Sequence, residues 1–265
     1  MKTKLNYAMG FIMLAAGVLN ASFSHDVNSI TATFETEASS RIETFTFPSN
    51  GKMEKGKIYL PAAYDTNKDL PAIFLIDYTE QHFKIAMDEF EKVIDGVRQI
   101  EGFDAVVVSL ESIPDVDAEP DTYQEHYELF KDMAAYVGET YTAHTSRTFI
   151  GKGSESGIVL VALFLEDEEP SVFDNFIATD PSGPYARALI NLIENQTHSK
   201  SRSNKKLHFS FSTSNNRALC TKLINTIDNA QYPWLQFESV KYTDSNYENT
   251  YPVSFAAGIK FVFDK

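Results

Sequence analysis

The sequence predicts a three-layer α/β domain with a mostly parallel central sheet. Three observations carry this. Short, continuous apolar runs, "AIFLID" at 72–77 and "FDAVVVSL" at 103–110, have the composition of strands buried on both faces. Segments with helical spacing separate them, as in βαβ units. An apolar run, "IVLVALFL" at 158–165, follows a glycine-rich turn directly and reads as a buried helix behind a strand.

The elements follow in order. "SITATFETE" (29–37) and "RIETFTFPS" (41–49) alternate polar and apolar residues, the pattern of antiparallel or edge strands. "GKIYLP" (56–61) is a strand closed by Pro61, and 62–71 is a turn region. After the strand at 72–77, residues 80–100 switch to helical spacing, with Phe83, Ala86, Phe90, Val93 and Ile94 on one face. Residues 111–126 are acidic and proline-punctuated and read as a loop, and 127–141 as a helix. Strands are expected at 147–150, 173–180, 207–213 and 234–242, with a closing helix in "SFAAGIKFVF" (254–263). The simplest parse is one domain over residues 25–265.

Residues 1–24 stand apart. Lys2 and Lys4 precede a mostly apolar stretch, Tyr7 to Leu19, and then small residues at Ala21, Ser22 and Ser24. This is the order of a secretory signal peptide. As a helix the stretch would rise about 20 Å, short of the roughly 30 Å hydrocarbon core. The expectation is a secreted or periplasmic protein with no membrane span once the leader is cleaved. Retention of the leader as an anchor is the alternative.

The 265 residues carry 23 Lys and Arg against 37 Asp and Glu, a formal net charge of −14. Such a charge argues against a general grip on a phosphate backbone, so no nucleic-acid partner is expected. Cys220 is the only cysteine, which excludes an intrachain disulfide and every multi-cysteine metal site. It reads as a buried residue on a helix. The six histidines show no zinc-like spacing, so neither metal nor cofactor is expected.

The stretch "GKGSESG" (151–157) between "RTFI" and the apolar helix is the focal motif. As a phosphate turn, Gly151, Gly153 and Gly157 form G-x-G-x-x-x-G, but no acidic residue ends the next strand about 20 residues on, as dinucleotide binding requires. No Gly-Lys-Ser/Thr triplet closes the stretch either, so it is not a Walker A loop. As a nucleophile turn, it offers Ser154 just before the helix. Small residues are needed two positions on either side. Here they are Lys152 and Ser156, and the lysine fits poorly.

The order "IYLPAAYDTNKDLPAIFLID", "RTFIGKGSESG", "FDNFIATDPS" and "SFAAGIKFVF" resembles the esterase D and enterobactin-esterase-like family of α/β hydrolases, from about residue 40 to 265. The resemblance implies a three-layer α/β-hydrolase fold. It places Ser154 at the nucleophile position and forms an oxyanion hole from the backbone N–H groups of Glu155 and Tyr78. Lys152 then replaces the family's first elbow glycine and Gly153 its histidine. The family's acid position falls in "SNNR" (214–217), which has no carboxylate. Its histidine position falls in "TDSNYENTYPV" (243–253), which has no histidine, and no histidine follows His208. A serine needs a base in hydrogen-bond reach, itself oriented by a third group. His198, in a polar loop, is the one candidate for a relocated base. Lys152 projects away from Ser154, and His208 lies inside a strand.

Four further features have bland and functional readings. "EDEEP" (166–170) and "DVDAEPD" (115–121) read as hydrated acidic segments, or as calcium ligands. "HSKSRSNKK" (198–206) reads as a solvated basic loop, or as an attractor of an anionic ligand or acidic partner. Tyr242, Tyr247 and Tyr251 read as packing residues, or as a stacking surface at a pocket rim. Three functions remain open: an esterase homologue that has lost hydrolysis and acts in binding or an accessory role with a protein partner; an active serine carboxylic-ester hydrolase; and a binding module for a glycan or siderophore-like ligand.

Overall fold

The computed structural model describes residues 39–76, 89–110, 120–166, 171–181, 189–194, 204–213, 217–246 and 249–263. These all fall in one compact unit, Ala38–Lys265. The expected leader and the strand at 29–37 lie outside the described residues.

The chain enters through a hairpin. β1 (Arg41–Ser49) and β2 (Lys52–Leu60) pair antiparallel with Ser49 opposite Lys52, so Asn50 and Gly51 alone make the turn. Both have positive φ, 48° and 74°, as a two-residue hairpin turn of this twist requires. β2 thus begins four residues before the expected strand. β3 (Ala72–Ile76) leads to α1 (Glu89–Arg98), whose Phe90, Val93 and Ile94 are buried as their spacing predicts. Phe83 and Ala86 lie outside the described residues.

β4 (Val106–Leu110) is buried at every position. α2 (Pro120–Thr140) begins seven residues before the expected helix, inside the segment read as loop. Pro120 suits the first helical position, where no N–H is needed. β5 (Arg147–Lys152) and α3 (Ser154–Leu165) follow, then β6 (Asn175–Thr179) and a short helical stretch at 189–194. β7 (Lys205–Phe211), α4 (Arg217–Ala230), β8 (Leu235–Lys241) and α5 (Thr250–Phe263) complete the chain.

The strand order is β1-β2-β4-β3-β5-β6-β7-β8. The two pairs involving β2 are antiparallel and the other five are parallel. Side chains alternate across this sheet into two cores. Phe74, Val108, Phe149, Phe176 and Phe209 face α2, α3 and α4. Ile73, Val107, Ile150 and Ile177 face α1 and α5. The result is the expected three-layer architecture. Cys220 is buried on α4, and burial pushes its thiol up to about 12, so it holds no reactive thiolate.

Two charges expected in solvent are buried. Glu166, just past the end of α3, and Lys205, at the start of β7, meet at 2.5 Å and are almost fully shielded from water. The carboxylate also accepts from the Tyr127 hydroxyl at 2.6 Å and from the N–H groups of Val172 and Phe173 at 2.9 and 3.1 Å. Lys205 donates to the Phe173 carbonyl at 2.8 Å. The remaining acidic residues of that segment, 167–170, lie outside the described residues. Every polar atom here has work in the fold, and removing one partner strands the other charge. Glu166→Gln is therefore expected to cost about 3–5 kcal/mol, read as a lower urea midpoint at unchanged slope.

Candidate functional site

In an open α/β sheet, ligands bind beyond the carboxyl ends of the parallel strands. Four elements converge there with polar side chains: the ends of β5, β6 and β7, and the first turn of α5.

The turn between β5 and α3 is set by its glycines. Gly153, the residue between strand and helix, has φ 59° and ψ −118°. A side chain is strained in that conformation, and glycine is not. Its N–H donates to the Thr179 carbonyl at 2.9 Å, tying the turn to the end of β6. Its carbonyl accepts from the Ser156 hydroxyl at 2.7 Å, inside the first turn of α3. Two residues earlier, a Cβ on Gly151 would lie 2.6 Å from the backbone carbon and oxygen of Glu155. This is the close strand–helix approach that a nucleophile turn demands at its minus-two position.

The apex is thus Gly153, one residue before the serine favoured from sequence. Ser154 is the first residue of α3. Glu155 lies in that first turn, half-buried, with its backbone against Gly151. Lys152, not Gly153, stands immediately before the apex. Tyr78 and His198 lie outside the described residues, as do 214–216 and Tyr247. The missed signal was Gly151. It is the small residue that the turn needs, and it lies two positions before Gly153, not before Ser154.

Lys152 is fully buried. Strand alternation sends it to the same side as Ile150, toward α1 and α5, away from α3. Its ammonium lies 4.4 Å from the ring centre of Tyr251, and that of Lys92 lies 5.3 Å from the same ring. Tyr251 is itself fully buried, so it is not a rim residue. Burial is the largest influence on Lys152 and brings its pKa down to about 8. Glu89 opposes the shift, Lys92 adds to it, and Asp180 and Glu155 oppose it more weakly.

Asp180 follows β6 with φ 48°, a left-handed conformation that aspartate tolerates better than most residues. It is buried, its N–H donates to the Ser210 carbonyl at 2.9 Å, and its Oδ1 accepts from the Ser212 N–H at 2.6 Å. Beneath it, Thr179 Oγ1 lies 3.2 Å from Ser210 Oγ and donates to Ser254 Oγ at 3.1 Å. Ser254 in turn donates to the Tyr251 carbonyl at 3.1 Å. This chain of buried hydroxyls locks β6, β7 and α5 together under the site. His208 lies within β7, fully buried, its Nδ1 2.8 Å from Glu238 Oε2. Burial lowers its pKa although Glu238 pulls the other way. Among the described residues, no three His, Cys, Asp or Glu side chains converge to hold a metal ion.

Strand order, the antiparallel entry hairpin and the strand–glycine–helix turn after β5 together decide the fold class. The chain has the α/β-hydrolase fold. Solved structures that share it include an IroE-like serine hydrolase from Shewanella oneidensis, with TM-score 0.70 and 14% identity over 84% of this chain and 80% of the other. An uncharacterised protein from Capnocytophaga ochracea matches with TM-score 0.68 and 16% identity over 84% of this chain, which spans 64% of that protein. The siderophore hydrolase EstA from Aspergillus nidulans matches with TM-score 0.64 and 13% identity, over 83% and 93% of the two chains. No family model and no curated protein sequence matches the chain.

Two expected outcomes follow from the geometry of this α/β-hydrolase turn. Gly151→Val places methyl groups into the Glu155 backbone, so α3 must shift and the thermal unfolding midpoint falls by many degrees. The buried Lys152 gives a pH signature. Its folded pKa of about 8 lies below its ordinary value of 10.5, so between these the unfolded chain holds the extra proton. Stability contributed at this site therefore rises with pH across that window. Melting curves from pH 8 to 10 should show wild type gaining on Lys152→Met.

Proposed function

We propose that this is an exported protein of the α/β-hydrolase fold that binds at the carboxyl edge of its sheet and does not hydrolyse esters. One observation carries the reading: the apex of the β5–α3 turn is Gly153, so the position from which a nucleophile turn presents its hydroxyl has no side chain. The triad logic fails at the other positions too, since the loop before α5 has no histidine in its sequence and "SNNR" after β7 has no carboxylate. What persists is the scaffold around the site. The tight turn, the left-handed Asp180 and the buried hydroxyls of Thr179, Ser210 and Ser254 hold the carboxyl edge in a fixed shape.

The solved hydrolases of this fold support a ligand of similar class, a small ester-bearing or siderophore-like molecule, held without cleavage, and a glycan remains the alternative. The leader sequence supports action outside the cytoplasm. The decisive measurement is labelling of the purified protein with a fluorophosphonate, beside turnover of short aryl esters by wild type and Ser154→Ala. Neither protein should be labelled, and both should hydrolyse the ester at the same background rate. Stoichiometric labelling that Ser154→Ala abolishes, with turnover lost by several orders of magnitude, would overturn the reading. A thermal shift with a ferric siderophore, an aryl ester or a glycan would then identify the ligand class.

A further inference from the structure

The far edge of the sheet carries a second surface, three strands away from the Gly153 turn. β8 pairs only with β7 among the described residues, so its outer backbone N–H and C=O groups face away from the sheet. α5 packs on β6 and β7, and among the described residues no helix packs closely on the same face of β8. The result is a groove of about 830 Å3. Its floor is Glu238 and Val240 of β8, and its wall is Ala257, Lys260 and Phe261 of α5.

The charges in this groove run against those of the protein. The chain has a net charge of −14, yet the groove presents Lys206 and Lys260 against the single carboxylate of Glu238. That carboxylate is already engaged by His208. Lys206 reaches the Val262 carbonyl at 2.9 Å, which fixes its ammonium at the groove's end. Lys260 is exposed and has no ion-pair partner among the described residues. An unpaired cation, an apolar wall and an open strand edge occur together.

We propose that this groove docks an extended peptide segment of a partner protein, added as a further strand on β8. Strand addition supplies main-chain hydrogen bonds, and side chains two residues apart point into the groove. The partner segment would therefore carry an acidic side chain opposite Lys260 and an apolar one, two residues away, against Phe261 and Val240. This surface is independent of the Gly153 site and of whether that site hydrolyses anything.

The probe is a fluorescein-labelled peptide of sequence Thr-Val-Thr-Glu-Thr-Val-Thr-Glu-Thr, titrated with the full chain by fluorescence anisotropy. Saturable binding is expected, weakened at least about tenfold by Lys260→Glu, as for loss of a close interfacial charge pair. N-methylation of alternate peptide amides should weaken it similarly, and added salt should weaken it progressively. Three results would overturn the proposal. One is no saturable binding. Another is equal affinity for wild type and a folded Lys260→Glu variant. The third is a homodimer in light scattering that Lys260→Glu disrupts, which assigns the groove to a second copy of the chain.

Discussion

The close approach of β5 to α3 is the constraint on which the architecture turns. α3 is apolar on all sides and buried from Ser156 to Phe164, so it has to lie in the middle of the molecule. It packs on β5, β6 and α2 at once. It can begin one residue after β5 only because Gly151 has no side chain to meet the Glu155 backbone, and because Gly153 takes a conformation closed to most residues. Folding thus demands the same turn that hydrolysis would use. The turn can therefore outlive the chemistry. A glycine at the apex relieves the strain that a serine would store there.

Buried charge is distributed between the two ends of the parallel strands. At the amino end, Glu166 and Lys205 form a pair further hydrogen-bonded by Tyr127, Val172 and Phe173. Such a pair offsets its desolvation cost only when its geometry and hydrogen bonds are this complete. At the carboxyl end, Lys152 rests on the Tyr251 ring with acidic groups nearby, and its lowered pKa records a less complete compensation. The first arrangement is a structural clamp. The second sits directly beneath the candidate site, where a partly compensated charge can respond to whatever occupies it.

The two candidate surfaces use different physics. The carboxyl edge above Gly153 is built from buried, hydrogen-bonded groups on rigid elements, which suits recognition of a small molecule. The β8 groove carries an exposed lysine and adjoins a strand edge unpaired among the described residues, which suits a chain-like partner. Neither surface depends on a nucleophile.

By itself the sequence determined the layered α/β class, the positions of most strands and helices, the burial of Cys220 and the absence of a histidine beyond residue 208. These follow from local periodicity, from composition and from counting. The Asn50-Gly51 hairpin could also have been read, because that dipeptide favours two positive φ angles whatever surrounds it. Pro120 could have been read as a helix start for a similar local reason. Tertiary structure alone decided which residue of "GKGSESG" forms the apex, because that depends on which backbone atoms of α3 press against β5. It alone brought Glu166 to Lys205 across 39 residues and put Lys152 against Tyr251. It alone placed Lys260 and Phe261 of α5 beside the edge strand β8. A charge is assigned to solvent by its neighbours in sequence, but its burial is set by what the rest of the chain packs around it.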